Sequence, residues 1–141
     1  MAVNMLIVDD SLPMRSVIIK TIKASGFGST CFFQASNGKE ALEILGDEWL
    51  DLVITDFNMP DMNGLELIAE MKKDDALKSV PVIVVTTEGS QKKAEEFLEK
   101  GAAAYVKKPF TPEMIKEKLI QILGEMKDEE GVEGGDDGLD F

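Results

Sequence analysis

The 141-residue chain contains no histidine, one cysteine, one tryptophan and one tyrosine. With Cys31 alone, no internal disulfide and no cysteine-based metal site can form, so Cys31 is expected to pack in the interior. Without histidine, any metal site must be built from oxygen ligands. The segment MAVNMLIVDD has no basic stretch ahead of its short apolar run, and no run approaches the roughly 20 apolar residues of a membrane span. A cytoplasmic protein without membrane contact is expected. Positive charge is also scarce. The net charge of −12 argues against nucleic-acid binding, which depends on Lys and Arg neutralising phosphates. No GxGxxG follows the first apolar run, where VDDSLPMR places acids instead, so a nucleotide or flavin site is disfavoured.

What is present is 44% apolar residues, enough for one core. Residues 1–127 carry twenty acids against fifteen bases. Residues 128–141, DEEGVEGGDDGLDF, carry seven acids, four glycines and no base. The first part is expected to be one domain. The second has too little to bury to repay the entropy of ordering, and is expected to be a flexible acidic tail. Its GLDF end leaves room for a docking motif.

Strand and helix signals alternate five times. Apolar runs at 3–8, 30–35, 51–55, 80–85 and 103–106 predict strands. After the first, Ser11 and Pro13 open a helix with Met14, Val17, Ile18 and Ile22 at helical spacing, closed by Gly26. Asn37 caps a second helix, which Gly46 is expected to stop. A third spans GLELIAEMKK, and a fourth runs through Lys100. A fifth starts at Thr111 with Pro112 at its first turn and Ile115, Leu119, Ile122, Leu123 and Met126 on one face. Strands 1, 3 and 4 are nearly continuous Val, Ile and Leu, as expected where helices cover both faces of a parallel sheet. Ligands of such open sheets gather beyond the carboxyl ends of the strands.

At that edge the sequence delivers Asp9 and Asp10, then Asp56 with Asn58, then Thr86, Thr87 and Glu88, then Lys107 and Lys108. Each has an ordinary reading as a turn residue, helix-start anion or surface charge. Converging carboxylates repel one another unless a cation lies among them. Oxygen donors of this kind suit Mg²⁺, which commonly joins one or two carboxylates to a phosphate oxygen. A lysine and a threonine hydroxyl would complete the surroundings of a phosphoryl group. A carboxylate can itself be the nucleophile, forming an aspartyl phosphate, and Asp56 is the best placed. DFNMPDMNG superficially matches a calcium loop, but Pro60 stands at the fifth ligand position and the spacing fails.

The segments LIVDDS (6–11), DLVITDFNMPDMNGLEL (51–67), PVIVVTTE (81–88) and GAAAYVKKPF (101–110) resemble the receiver domain of two-component response regulators, within it the single-domain chemotaxis type, over about residues 3–126. The resemblance implies a flavodoxin-like (βα)5 doubly wound sandwich, a parallel sheet in the order 2-1-3-4-5 with helices on both faces. It implies Asp56 as phosphoacceptor and Mg²⁺ held by Asp10, Asp56 and the Asn58 backbone carbonyl, with Asp9 assisting through water. It further implies that Lys108 binds the phosphoryl group, that Thr86 and Tyr105 form a switch pair, and that Asn58, Thr87 and Glu88 tune the site. A cis Lys108–Pro109 bond belongs to the same pattern. Phe57, where enteric members have Trp, Thr87, bulkier than usual, and charged Lys107 are departures.

The partners implied are a histidine kinase, a phosphatase and, for output, the flagellar motor switch, with the chain acting as a monomer. Lacking histidine, the chain can only receive from a phosphohistidine. Alternatives are a shuttle to a histidine phosphotransfer domain or an allosteric regulator of another enzyme. A phosphohydrolase would need an acid two residues after the nucleophile, where Asn58 stands, so an acceptor that assists only its own phosphorylation and dephosphorylation is expected rather than an enzyme.

Overall fold

The computed structural model describes residues 3–27, 30–87 and 90–131, with side chains to residue 124. Five parallel strands, β1 (Asn4–Val8), β2 (Cys31–Ala35), β3 (Leu52–Asp56), β4 (Val82–Thr86) and β5 (Ala104–Lys107), form one sheet in the order β2-β1-β3-β4-β5. They alternate with helices α1 (Leu12–Ala24), α2 (Gly38–Asp47), α3 (Gly64–Lys72), α4 (Gln91–Glu99) and α5 (Pro112–Gly131). The expected flavodoxin-like doubly wound sandwich is therefore present.

The two-residue period of the strands divides the core in two. Leu6, Val8, Val53, Val82 and Val84 face one layer with Ala41, Leu45, Leu67, Ile68, Met71 and Phe97, supplied by α2, α3 and α4. Met5, Ile7, Leu52, Ile54, Ile83 and Val85 face the other, against Ile18 and Ile22 of α1 and Ile115, Leu119 and Leu123 of α5. β3 and β4 are buried throughout, which explains their unbroken apolar composition.

Local chemistry sets the helix starts. Ser11, Asn37, Asn63 and Ser90 each accept a hydrogen bond from a first-turn amide, and Asn63 with Glu66 completes a capping box. Gly26 leaves α1 at φ +106°, a left-handed conformation suited to glycine.

Five expectations change. Cys31 is exposed, because it begins an edge strand instead of a central one. Gly46 does not stop α2, which continues to Asp47. Val17 is 49% exposed, since the core stripe of α1 follows Met14, Ile18 and Ile22 at four-residue steps. The third, fourth and fifth strands each run one residue further than the apolar pattern indicated, because ladder pairing includes Asp56↔Val85 and Thr86↔Lys107. α5 extends to Gly131 and so takes in the first four residues of the expected tail; residues 132–141 and the side chain of Met126 lie outside the described part. No helix among the described residues is long and apolar enough to cross a membrane.

Candidate functional site: an acidic cluster with one lysine

Strand register assembles the cluster. Val8 pairs with Thr55, so Asp9 and Asp56, one residue further along each strand path, arrive side by side on the two central strands. Asp10 follows Asp9, and one carboxylate oxygen from each of Asp9, Asp10 and Asp56 lies within 4.8 Å of the others. Asp9 and Asp56 are buried, whereas Asp10 is exposed. Asn58 is exposed two residues after Asp56.

From the other side, Lys108 donates to Asp56 Oδ1 at 3.0 Å and lies 3.9 Å from Asp9 Oδ2. Its position follows from the β4–β5 pairing, because its own amide donates to the Thr86 carbonyl at 2.7 Å. The Lys108–Pro109 bond is cis. Thr86 is buried at the end of β4, Thr87 is exposed beside it, and Tyr105 is half-buried on β5. Glu88 lies outside the described residues.

Asp9 is held from several directions. Its Oδ1 accepts from the Ser11 amide at 2.9 Å, and its backbone carbonyl accepts from Arg15 Nη1 at 2.6 Å. Arg15 is tied in turn to Gln34 Oε1 at 2.9 Å. Oδ2 is buried without a hydrogen-bond partner, since 3.9 Å to Lys108 is too long for one. Burial raises the Asp9 carboxyl above its ordinary value; the Ser11 amide opposes this, the Asp56 charge adds to it, and, more weakly, Lys108 opposes it and Asp10 adds to it. A buried carboxylate oxygen left unsatisfied beside two further carboxylates, with only oxygen donors available, fits a hard divalent cation such as Mg²⁺.

Close packing beneath the cluster restricts the turn after β3. A Cβ on Gly64 would lie 3.0 Å from the Asp56 carbonyl oxygen and 3.3 Å from Phe57 Cα. The Gly64 amide donates to the Phe57 carbonyl at 2.9 Å, drawing the start of α3 against the strand end. Asp61 crosses the turn at φ 71°.

An aromatic chain also leads away from the cluster. The ring of Phe57, adjacent to Asp56, stands 5.1 Å from that of fully buried Phe97 on α4, which stands 6.2 Å from Tyr105. Lys93 Nζ sits 5.0 Å from the Phe57 centroid and 6.0 Å from the Phe97 centroid. Sequence reasoning identifies Phe57 only as a departure from the family pattern and does not reach Phe97, Lys93 or Arg15. The single aromatic in the mainly charged helix QKKAEEFLE is the available signal for Phe97.

Comparison with known proteins accords with this geometry. The family model described as the response regulator receiver domain matches residues 5–120. The chemotaxis protein CheY1 of Helicobacter pylori is 40% identical over 122 residues, covering 86% of this chain and 97% of the relative. A CheY homolog of Campylobacter jejuni is also 40% identical, covering 86% and 92%. The solved structure of Vibrio cholerae CheY4 superposes with a TM-score of 0.77 at 31% identity, over 86% of this chain and 99% of that one. With the acidic cluster and lysine at the carboxyl edge of a 2-1-3-4-5 sheet and a family match across most of its length, the chain belongs to the response regulator receiver family, of the CheY type that serves two-component signalling.

Proposed function

We propose that this receiver is a phosphorylation-driven switch in which Asp56 accepts a phosphoryl group from the phosphohistidine of a histidine kinase. The observation carrying the reading is the buried Asp56 carboxylate, bound at Oδ1 by Lys108 and flanked by the unsatisfied Asp9 oxygen. In the transfer, an Asp56 carboxylate oxygen attacks phosphorus. The new P–O bond forms as the P–N bond breaks, and the electron pair returns to the donor's imidazole nitrogen. Lys108 offsets negative charge on the acceptor and the transferred group. Asp10, Asp56 and the Asn58 carbonyl would hold Mg²⁺, with Asp9 assisting through water, and the bound cation would neutralise phosphoryl charge. Thr86 would donate its hydroxyl to a phosphoryl oxygen, while Thr87, Glu88 and the Asn58 side chain would tune access and lifetime. The chain is an acceptor that assists its own phosphorylation and dephosphorylation, not an enzyme acting on other substrates.

The output we favour is the flagellar motor switch, supported by relatives named as chemotaxis proteins, with a chemotaxis-type kinase upstream, a phosphatase to reset the signal and the cytoplasm as the place of action. Incubation of the full chain with Mg²⁺ and a small acyl phosphate should add one phosphoryl mass. Asp56→Asn should add none, and EDTA should suppress labelling of the wild type. Undiminished labelling of Asp56→Asn would overturn the assignment. Capture of a phosphotransfer domain by the phosphorylated chain, with no flagellar switch component, would replace the motor by a relay.

A further inference from the structure

On the face formed by β5 and α5, Tyr105, Val106, Lys107, Met114, Glu117 and Lys118 line a cleft of about 230 Å³. Tyr105, Val106 and Met114 supply apolar lining, and Lys107 and Lys118 outnumber Glu117 among the charged residues. We propose that the chain's own residues 132–141, VEGGDDGLDF, dock in this cleft in cis, with Leu139 and Phe141 against the apolar lining and the adjacent acids beside Lys107 and Lys118.

Three observations converge on that occupant. The first is charge: residues 132–141 hold four acids and no base, so they are drawn to a lysine-flanked surface at low ionic strength. The second is pattern. Leu139, Asp140 and Phe141 alternate, so an extended segment presents both apolar side chains to one side and the carboxylate to the other. The third is reach. α5 ends at Gly131, about 20 Å along the helix from Lys118, and the eight residues from Gly131 to Leu139 span up to about 26 Å when extended. The segment can therefore fold back over the first turns of α5, and its glycines permit the reversal.

A short tether supplies an effective concentration on the order of millimolar, enough to half-fill a cleft of comparably weak intrinsic affinity. Docking itself rests on the cleft and the charges. Only its consequence rests on the switch reading: a target segment of similar acidic and apolar chemistry would compete with the tail, and its affinity would be lowered about two- to ten-fold. The tail would thus set a threshold for output.

The test uses the full unphosphorylated chain. In a Cys31→Ser background, which alters only the far edge strand, Gly138→Cys carries a nitroxide. The expected result is broadening of the amide resonances of Tyr105, Lys107, Met114 and Lys118 at low salt, relieved at high salt and abolished by Lys107→Glu with Lys118→Glu. Leu139→Ser with Phe141→Ser should shift the same resonances. Broadening elsewhere, or none, would overturn the proposal. Broadening that grows with protein concentration would also overturn it, because the occupant would then be the tail of a second copy. No phosphoryl chemistry enters this measurement, so its failure leaves the switch reading intact, and failure of Asp56 labelling leaves the docking result intact.

Discussion

Gly64 illustrates how a residue without a functional group can hold a site together. Its missing Cβ lets α3 begin against the Asp56 carbonyl, and a methyl there meets backbone on two sides. Gly64→Ala should therefore destabilise the chain by about 1–3 kcal/mol, the usual cost of overpacking, and should slow acyl phosphate labelling because the strand end must shift. Gly38 is the contrasting case. A methyl there meets only side chain, Met62 from its Sδ to its Cβ at 3.0 Å, so Met62 must change rotamer and its Cβ must give slightly, while alanine gains helix propensity at the first position of α2. Gly38→Ala should cost less than Gly64→Ala, because the side chain it meets can repack and the propensity gain of up to about 1 kcal/mol offsets part of the loss. Denaturant melts of the two variants check the pair, and equal losses would show that backbone contact at Gly64 is not the cause.

Among elements, the entry to α2 carries a pH signature. Ser36 donates to Glu40 Oε1 from its backbone amide and from its hydroxyl, each at 2.8 Å, and these bonds hold the Glu40 carboxyl below its ordinary value. A depressed folded-state pKa contributes stability above the unfolded-state value, and that contribution is lost as pH falls through the folded one. Ser36→Ala removes the hydroxyl but keeps the amide, so the Glu40 pKa should rise part of the way towards that of an unperturbed glutamate. Side-chain NMR titration reads this directly, and an unmoved Glu40 would assign the shift to the amide alone. The α3 capping box is a second local device: Asn63→Ala should cost about 1 kcal/mol in a thermal or urea melt.

Across the whole molecule, the question is how charge chemistry at one edge of the sheet reaches the β5 and α5 surface. Thr86 ends β4, its neighbour on β5 is Lys107, and Tyr105 lies two residues back with Phe97 packed against its ring. A phosphoryl oxygen on Asp56 that accepts from Thr86 would draw that side chain towards the site and bias Tyr105 inward against Phe97. Thr86→Ala should then still accept phosphate but lose most of the phosphorylation-dependent gain in target affinity. Lys107→Ala should weaken binding in both states. Target affinity with and without beryllofluoride, for wild type and both variants, is the measurement. An undiminished gain in Thr86→Ala would route the signal elsewhere, for which the Phe57–Phe97 contact is the available path.

The primary structure alone carried the five alternating units, the parallel sheet and the gathering of Asp9, Asp10, Asp56, Thr86 and Lys108 at one edge. These follow from local periodicity and from the rule that strand ends of such sheets share an edge. It did not carry the exposure of Cys31 or the continuation of α2 through Gly46, which depend on sheet position and on what each helix packs against. Nor did it carry the grip of Arg15 on the Asp9 carbonyl, the unsatisfied Asp9 oxygen or the Phe57–Phe97–Tyr105 chain. Those contacts join residues from different elements, so they exist only once strand register and helix packing have set the distances between them. Periodicity along a chain specifies which face a side chain takes; only the packed fold specifies what it meets there.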